Sequence, residues 1–240
     1  RVNDLRAMMY NLHAKAVGLQ FDKYMLEEIT DVAKGLDQLR QMSLSFFLSS
    51  LQSLVKNTCE KIGKRATIRL ANDVLVDIDI MRKLHQCLIH IINNALDHGI
   101  EDGEIRKKIH KREEGLLILS GSQEDKGIVT ISLEDDGRGI DVDKLIETIH
   151  KTHNLPIEDV KKMSKDEQFN YLFKAGFSTK DQTTEVSGRG VGMDFVTHTI
   201  RKLGGTVSIT SENNKGTTVI MQIPNRPLVD NEKTRSLKGL

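Results

Sequence analysis

The stretch LIHIINNALDHGIE, at positions 88–101, places side chains that can bind metal ions and phosphate within an apolar run that favours a helix. Four of them are spaced i, i+4, i+7 and i+8, so one face of an α-helix is predicted to carry them all. They are His90, Asn94, Asp97 and His98. Such a face is either a solvated edge or a site for a nucleotide and a metal ion. Asn94 offers a neutral oxygen of the kind that Mg²⁺ accepts beside phosphate oxygens and waters. Zinc is disfavoured, since the histidines lack cysteine or carboxylate partners at the usual spacing.

Two glycine-rich segments could contact a base or a phosphate. DDGRGID, at 135–141, follows a predicted strand and could equally be a strand-to-helix turn that needs positive φ. In SGRGVGMDFV, at 187–196, Gly188, Gly190 and Gly192 open a predicted helix, where free backbone N–H groups and the helix N-terminus favour an anion. A dinucleotide fingerprint is excluded because a polar segment precedes these glycines and an antiparallel hairpin follows them. The lysine-bearing phosphate-loop consensus is absent from the sequence.

The elements that must position these residues follow from hydrophobic periodicity. The first part of the chain predicts a helical hairpin followed by an approach helix, over 3–17, 22–42 and 45–62. Alternating residues then predict a strand at 65–71, and an amphipathic pattern predicts a helix at 79–96. Two further strands, 116–122 and 128–134, form a predicted hairpin.

The second half of the chain continues the same alternation of helix and strand. Residues 140–187 are mostly helical and polar in pattern, and we predict that they form a mobile lid. A helix at 191–203 and a hairpin with its turn at 213–216 follow. This order predicts an α/β two-layer sandwich, a mixed sheet with helices on one face, after the N-terminal helical hairpin. The predicted units are 1–43, 44–224 and a polar tail at 225–240.

Composition limits the classes of partner. The 35 Lys and Arg residues nearly balance 34 Asp and Glu residues, so no overall field favours nucleic acid or an anionic membrane. The sequence has no apolar run near the ~20 residues that span a bilayer and no signal-peptide pattern. Cys59 and Cys87 lie in apolar helical patterns and are predicted to be reduced core thiols, which is typical of a cytoplasmic protein. Because residue 1 is Arg, we expect the chain to be a piece of a longer protein.

Five motifs stand in the order typical of the GHKL ATPase superfamily. They are NNALDHGIE at 93–101, DDGRGID at 135–141, FKAGFSTK at 173–180, SGRGVGMD at 187–194 and KGTTVIMQIP at 215–224. The details LDHGIE, GFSTK and SGRGVGMDFV resemble chemotaxis-type histidine kinases, over about residues 40–224. The resemblance implies the Bergerat fold of that superfamily, with 44–224 as an ATP-binding catalytic domain.

The resemblance also implies roles for single residues. Asp135 would accept a hydrogen bond from the adenine amino group, Gly139 would let the base approach, and Thr217 or Thr218 would support the base through water. Asn94 would ligate Mg²⁺. The three glycines of the second segment would wrap the phosphates.

Other residues would complete the nucleotide site by the same resemblance. His90 and His98 would lie near the γ-phosphate and orient it, while Phe173 and Phe177 would pack the lid over bound ATP. The remaining nucleotide-binding residues implied are Asp97, Gly137, Ile140, Ser178, Thr179, Arg189, Val191 and Met193.

Position 90 distinguishes two reaction types. Superfamily members that hydrolyse ATP place a glutamate four residues before the metal-binding asparagine, whereas this chain has His90, as chemotaxis-type kinases do. The resemblance therefore implies transfer of the γ-phosphate to a histidine of a phosphotransfer domain outside this segment, with a response regulator as the next acceptor. It implies no nucleic acid and no membrane contact by this segment.

Several features leave other readings open. Asn93 stands where the family usually has arginine, and His13 lacks the acidic neighbour expected of a phosphoacceptor. The hairpin at 1–43 is either a dimerisation element, which would make a homodimer, or a degenerate remnant of a phosphotransfer domain with Met8 in place of its histidine. A nucleotide-binding pseudokinase and a catalytically idle scaffold are the alternative functions. The basic cluster at 106–112 is predicted to be solvated surface.

Overall fold

The computed structural model describes residues 2–19, 22–124, 127–174 and 193–225. The N-terminal hairpin consists of α1 (Val2–Gly18) and α2 (Lys23–Gln38). The Asp22 side chain caps α2 by accepting from the backbone N–H of Met25 at 2.9 Å. Little apolar surface is buried between the two helices, because the described side chains buried there are the small Ala16 and Ala33. Large apolar side chains of the hairpin are instead exposed: Leu5, Met8, Leu12, Val17, Tyr24, Met25 and Val32.

The second helix ends earlier than the predicted 22–42. Strand β1 (Gln41–Ser43) pairs antiparallel with β3 (Leu75–Asp77), so these residues are extended rather than helical. A buried ion pair accompanies this pairing: Arg40 binds both carboxylate oxygens of Asp77, at 3.0 and 3.1 Å, and also binds Asp79 at 2.5 Å. The backbone N–H of Asp77 in turn donates to the Asn225 side chain at 3.1 Å. The small sheet thus joins the end of the hairpin to both ends of the following domain.

The approach helix α3 (Leu48–Ile62) follows a single 3-10 turn at Leu44–Phe47. Its apolar face contributes Leu51, Val55 and Cys59 to the core. The helix stops at Gly63, whose φ of 71° is the left-handed conformation that glycine adopts readily.

A five-stranded sheet is formed by residues that follow α3, with the strand order β2-β4-β5-β7-β6. β2 (Ala66–Asn72) and β4 (Gly115–Glu124) are parallel, and all other neighbours are antiparallel. The remaining strands are β5 (Ile128–Asp135), β6 (Thr206–Glu212) and β7 (Gly216–Pro224). Alternate residues of β4 and β5 are buried while those between them are half-exposed, so one face of the sheet carries the helices. The predicted mixed two-layer sandwich is confirmed.

The helical layer comprises α4 (Ile78–Asn94), α5 (Gly103–Lys108), α6 (Val142–His153), α7 (Ile157–Lys162), α8 (Lys165–Asn170) and α9 (Met193–Lys202). α4 lies at its centre, with Leu84, Leu88 and Ile92 fully buried against the sheet. No helix in the described ranges is long and apolar enough to cross a membrane.

The prediction of a mobile lid over 140–187 is wrong for its first two-thirds. α6, α7 and α8 contribute Leu145, Ile149, Val160 and Phe169 to the buried core, so residues 142–170 are a packed part of the helical layer. The polar pattern arises because only one narrow face of each short helix is apolar. Residues 175–187 of the predicted lid lie outside the described residues.

Candidate functional site

The polar face of α4 begins as predicted but does not continue as an α-helix. Residues Ala95–Gly99 form a π turn directly after Asn94. A π turn holds more residues per turn than an α-helix. The predicted α-helical spacing therefore applies to His90 and Asn94 but not to Asp97 and His98, which lie in the π turn. Asp97 is half-buried and the His98 side chain is exposed. Helical periodicity alone gave no signal for this change.

His90 is half-buried on the last turns of α4. Its Nε2 atom is buried and has no hydrogen-bond partner within the described part of the chain. Burial lowers the pKa of its imidazole, and the nearby Asp194 carboxylate opposes that shift. The ring lies edge-on to Phe195 on α9, with centroids 6.4 Å apart. His90 therefore lies at the junction of α4 and α9 with a buried nitrogen that has no partner among the described residues.

Asn94 lies one turn further on. Its amide nitrogen donates to the Met193 sulfur at 3.4 Å, which brings together two of the predicted site residues from α4 and α9. With the nitrogen engaged, the amide oxygen is the atom that could bind a cation. The described residues contain no cluster of three or more His, Cys, Asp or Glu side chains that could hold a metal by themselves. A single neutral oxygen fits Mg²⁺ that is held mainly by phosphate and water, and does not fit a protein-enclosed metal.

Asp135 ends β5 and is buried, with only 6% of its surface exposed. Its carboxylate accepts from the backbone N–H of Gly137 at 2.9 Å. Burial raises the pKa of this carboxyl group to about 6, and the backbone N–H groups of Gly137 and Thr217 act in the opposite direction. A buried carboxylate with so few donors is suited to accept a hydrogen bond from a bound ligand.

The two threonines implied as adenine supports differ in position. Thr217 pairs with Asp135 across β5 and β7, whereas Thr218 pairs with Glu134. Because successive side chains of a strand point to opposite faces, Thr217 shares the face of Asp135 and Thr218 does not. The Thr217 hydroxyl also lies 3.1 Å from the Ser211 hydroxyl. Of the two threonines, Thr217 is therefore the one that lies beside Asp135 on the same face of the sheet.

The loop after Asp135 fits tightly against its neighbours. A Cβ on Gly137 would overlap the backbone of Gly99 in the π turn, so only glycine lets the two segments meet. Gly139 has a φ of +75° and its backbone packs against that of Glu212. The positive φ and the close backbone contact therefore require glycine at position 139 whether or not a base binds there. The next residue, Ile140, donates its N–H to the Ser211 hydroxyl at 2.8 Å.

A buried ion network beneath this loop was missed by the sequence analysis. Arg106 is 0% exposed, so the prediction that 106–112 is solvated surface is wrong for Arg106, whereas Lys107, Lys108 and Arg112 are exposed as predicted. Its guanidinium donates to Glu101 at 2.8 Å and to the Asp136 carboxylate at 2.7 Å. Lys111 donates to Glu101 at 2.8 Å and to the backbone oxygens of Asp136 and Gly137. A run of basic residues looks solvated in sequence, because the acids that neutralise it lie elsewhere in the chain.

Part of the predicted site falls beyond the structure. Phe173 is half-buried in the turn Tyr171–Phe173 that follows α8. Eight further candidates lie outside the described residues: Phe177, Ser178, Thr179, Gly188, Arg189, Gly190, Val191 and Gly192. The described part of the candidate site therefore comprises Asp135 with the loop that follows it, and Asn94 with His90 and Met193.

Comparison with known proteins shows which family the chain resembles. Residues 79–227 match the family described as histidine kinase-, DNA gyrase B-, and HSP90-like ATPase. The chain is 33% identical over 195 residues to the chemotaxis protein CheA of Listeria innocua, covering 81% of this chain and 31% of that protein. It is 37% identical over 196 residues to the sensor histidine kinase CheAY of Helicobacter pylori, covering 81% and 24% respectively.

Among solved structures, the mycobacterial sensor histidine kinase MprB is similar at 15% identity, with a TM-score of 0.47, covering 78% of this chain and 99% of that one. The chain spans about a third or less of the length of the two chemotaxis relatives. The family match covers well over half of the 240 residues and includes every described site residue. The ATPase domain is similar in sequence to that of the chemotaxis protein CheA, and the chain belongs to the histidine kinase-, DNA gyrase B- and HSP90-like ATPase family.

Proposed function

We propose that this chain is the catalytic core of a histidine protein kinase, which binds Mg²⁺-ATP and transfers the γ-phosphate to a histidine of a phosphotransfer domain. The observation that carries the proposal is Asp135, a buried carboxylate at the end of a central strand, which could accept a hydrogen bond from an exocyclic amino group. A response regulator would receive the phosphate next. The relatives named for chemotaxis and for sensor histidine kinase activity support this class of function.

The base would be recognised at Asp135, with Thr217 beside it on the same face of the sheet. The carboxylate would accept from the adenine amino group, a hydrogen bond that guanine cannot supply because it has a carbonyl at that position. The tight contact between Gly137 and Gly99 would keep the two walls of this pocket close together.

The phosphate end would be organised by Asn94 and His90. Mg²⁺, held by the Asn94 oxygen and by phosphate oxygens, would neutralise charge on the triphosphate. Burial lowers the pKa of His90, and its buried Nε2 has no partner in the described structure, so an N–H at this position could donate to a phosphate oxygen. Its imidazole replaces the glutamate that activates water in hydrolysing relatives, which favours transfer over hydrolysis.

In the proposed reaction the unprotonated ring nitrogen of the acceptor histidine attacks the γ-phosphorus. A nitrogen–phosphorus bond forms while the bond from phosphorus to the bridging oxygen breaks, and ADP leaves with that electron pair. The proton on the other ring nitrogen of the acceptor is then released to solvent. Positioning and charge neutralisation do most of the catalytic work in such transfers.

The acceptor histidine and the N-terminal hairpin belong to the same proposal. His13 on α1 is half-buried and lacks an acidic neighbour in sequence, so we assign the acceptor to a separate phosphotransfer domain. The exposed apolar side chains of α1 and α2 would be covered by the hairpin of a second copy, giving a homodimer. The buried thiols Cys59 and Cys87 fit a cytoplasmic location.

Phosphotransfer is tested with radiolabelled ATP and a supplied phosphotransfer domain of the chemotaxis type. We expect a phosphoprotein that is labile in acid and stable in base, as a phosphohistidine is. Tight ATP binding with no labelled acceptor would instead establish the pseudokinase, which the unusual Asn93 favours. Absence of Mg²⁺-ATP binding in calorimetry would leave only the scaffold. Sedimentation of the chain at several concentrations tests the homodimer separately.

A further inference from the structure

Lys64 lies at the point where the approach helix α3 ends. Gly63 turns the chain out of the helix with a φ of 71°, and the backbone N–H of Lys64 returns to the Cys59 carbonyl at 3.1 Å. This turn closes α3 and fixes the Lys64 backbone to it. The Lys64 side chain is half-buried rather than extended into solvent.

The ammonium group of Lys64 donates three hydrogen bonds, and all three go to the backbone that follows α4. The acceptors are the carbonyl oxygens of Leu96 at 2.8 Å, Asp97 at 3.1 Å and Ile100 at 2.9 Å. The three protons of the ammonium are therefore matched by three acceptors. Burial lowers the pKa of Lys64, and the nearby Asp102 carboxylate opposes that shift.

The carbonyl groups at a helix end have no partners within the helix and carry partial negative charge. Among residues 96–100, Arg138 donates to the two carbonyl groups that do not accept from Lys64. Its side chain donates to the His98 carbonyl at 2.6 Å, and its backbone N–H donates to that of Gly99 at 2.9 Å. Every carbonyl from residue 96 to residue 100 thus accepts from Lys64 or Arg138.

The backbone held in this way is one wall of the proposed adenine pocket. A Cβ placed on Gly99 would lie 3.2 Å from Asp135 Oδ1, and Gly137 packs against the Gly99 backbone. A shift of the π turn by a fraction of an ångström would therefore change the space and the hydrogen-bond geometry beside the Asp135 carboxylate.

We propose that Lys64 is a positioning residue for nucleotide recognition, which fixes the π turn relative to Asp135 and ties that turn to the end of α3. The inference rests on the proposed binding of ATP. It extends the site beyond the residues that touch nucleotide, to a lysine in a segment between α3 and β2. Since the Lys64 backbone is fixed to α3, displacement of α3 changes the position of the pocket wall.

The experiment compares Lys64→Met, Lys64→Gln and Lys64→Arg in the whole chain by calorimetric titration with Mg²⁺-ATP and Mg²⁺-GTP. Lys61→Met is the control, because Lys61 is an exposed cation in the last turn of α3. We expect Lys64→Met to bind ATP roughly tenfold more weakly at unchanged stoichiometry, with a smaller change for GTP. Selectivity for adenine therefore falls. Lys64→Arg should recover most of the affinity, and Lys61→Met should match the wild type.

Lys64→Gln keeps two N–H donors and gives an intermediate loss of ATP affinity, which tests the inference even if Lys64→Met does not fold. A role in stability alone would lower the binding stoichiometry and the melting temperature but leave the Kd of the folded fraction unchanged. That outcome, or wild-type affinity and selectivity in both variants, overturns the positioning role while leaving the proposed function intact. Wild-type protein that binds neither nucleotide contradicts the proposed function and, with it, this inference.

Discussion

Arg40 and Asp77 form a two-pronged buried ion pair, with N–O distances of 3.0 and 3.1 Å and side chains 8% and 7% exposed. The pair joins the last residues of the hairpin to the first cap of α4, because Asp77 also accepts from the backbone N–H of Asp79. Arg40 of the hairpin boundary is therefore held by two carboxylates, Asp77 and Asp79, at the start of α4.

Arg40→Met is expected to destabilise the catalytic domain by about 3 kcal/mol, since it leaves the Asp77 carboxylate buried without its cation. Urea unfolding followed by circular dichroism measures the change. Arg82→Met is the matched control, because Arg82 approaches Asp79 at 3.9 Å on the surface and the side chains are 71% and 45% exposed. Its cost should stay below about 1 kcal/mol. Equal decreases in the free energy of unfolding for the two variants would show that the buried ion pair stabilises the fold no more than the surface pair does.

Asp135→Asn is expected to weaken Mg²⁺-ATP binding by roughly a hundredfold, because the charged acceptor for the adenine amino group is lost. The same change should stabilise the nucleotide-free protein by up to about 3 kcal/mol, since a buried carboxyl whose pKa is raised from 3.8 to about 6 disfavours folding at neutral pH. Calorimetry and thermal unfolding give the two values. Asp136→Asn, which removes a partner of Arg106, should instead lower stability. ATP affinity unchanged in Asp135→Asn would show that the pocket is wrongly assigned.

Affinity for ATP should fall as the pH is lowered through about 6, because protonation of Asp135 removes the acceptor form of its carboxyl group. The free energy of unfolding should change with pH in the opposite direction from ATP affinity. Because the folded-state pKa of Asp135 is above the unfolded value, this group stabilises the fold at low pH, and that stabilisation is lost as the pH rises through about 6. Titrations between pH 5 and pH 8 should show this fall in the wild type, roughly tenfold per pH unit well below the pKa. Asp135→Asn should show a flat profile across the same range.

Arg106→Met is expected to destabilise the protein by about 3 kcal/mol, because it removes the buried cation from the Asp136 carboxylate and leaves the buried Glu101 with Lys111 alone. Loss of order in the loop after Asp135 should weaken ATP binding as well. Lys108→Met is the control from the same basic cluster, since Lys108 is exposed. Urea unfolding of both variants tests the distinction. A surface cluster, as the sequence predicts, would give two small and similar changes.

Asn94→Asp should reduce phosphotransfer at least roughly a hundredfold while changing the Kd for Mg²⁺-ATP by less than about threefold. A carboxylate can still hold the cation, but it adds negative charge beside the phosphoryl group that is being transferred. Labelling of a supplied phosphotransfer domain gives the rate, and calorimetry gives the affinity. Asn93→Asp introduces the same charge one residue earlier and should affect transfer much less. Equal losses of rate and affinity in Asn94→Asp would argue against its role as the metal ligand.

The fold class and the position of Asp135 at the end of a strand could be predicted because strand ends and motifs are local in sequence. Asp135 is the last of eight residues with a mainly alternating burial pattern and the first residue of the DDGRGID motif. Strand β1 could not be predicted, since three residues become extended only by pairing with Leu75–Asp77, more than thirty positions later. The π turn after Asn94 and the burial of Arg106 depend likewise on distant partners, namely Lys64, Arg138 and Asp136.

The contact between Asp77 and Asn225 has an architectural consequence. The backbone N–H of Asp77 donates to the Asn225 side chain, and the Asn225 amide donates to the Leu75 carbonyl at 3.0 Å. The segments that lead into and out of this domain thus lie next to each other, beside the salt bridge that holds Arg40. A unit with adjacent ends can be inserted between other domains as a cassette without separating them. Mechanical strain from either flanking segment would converge on that one junction.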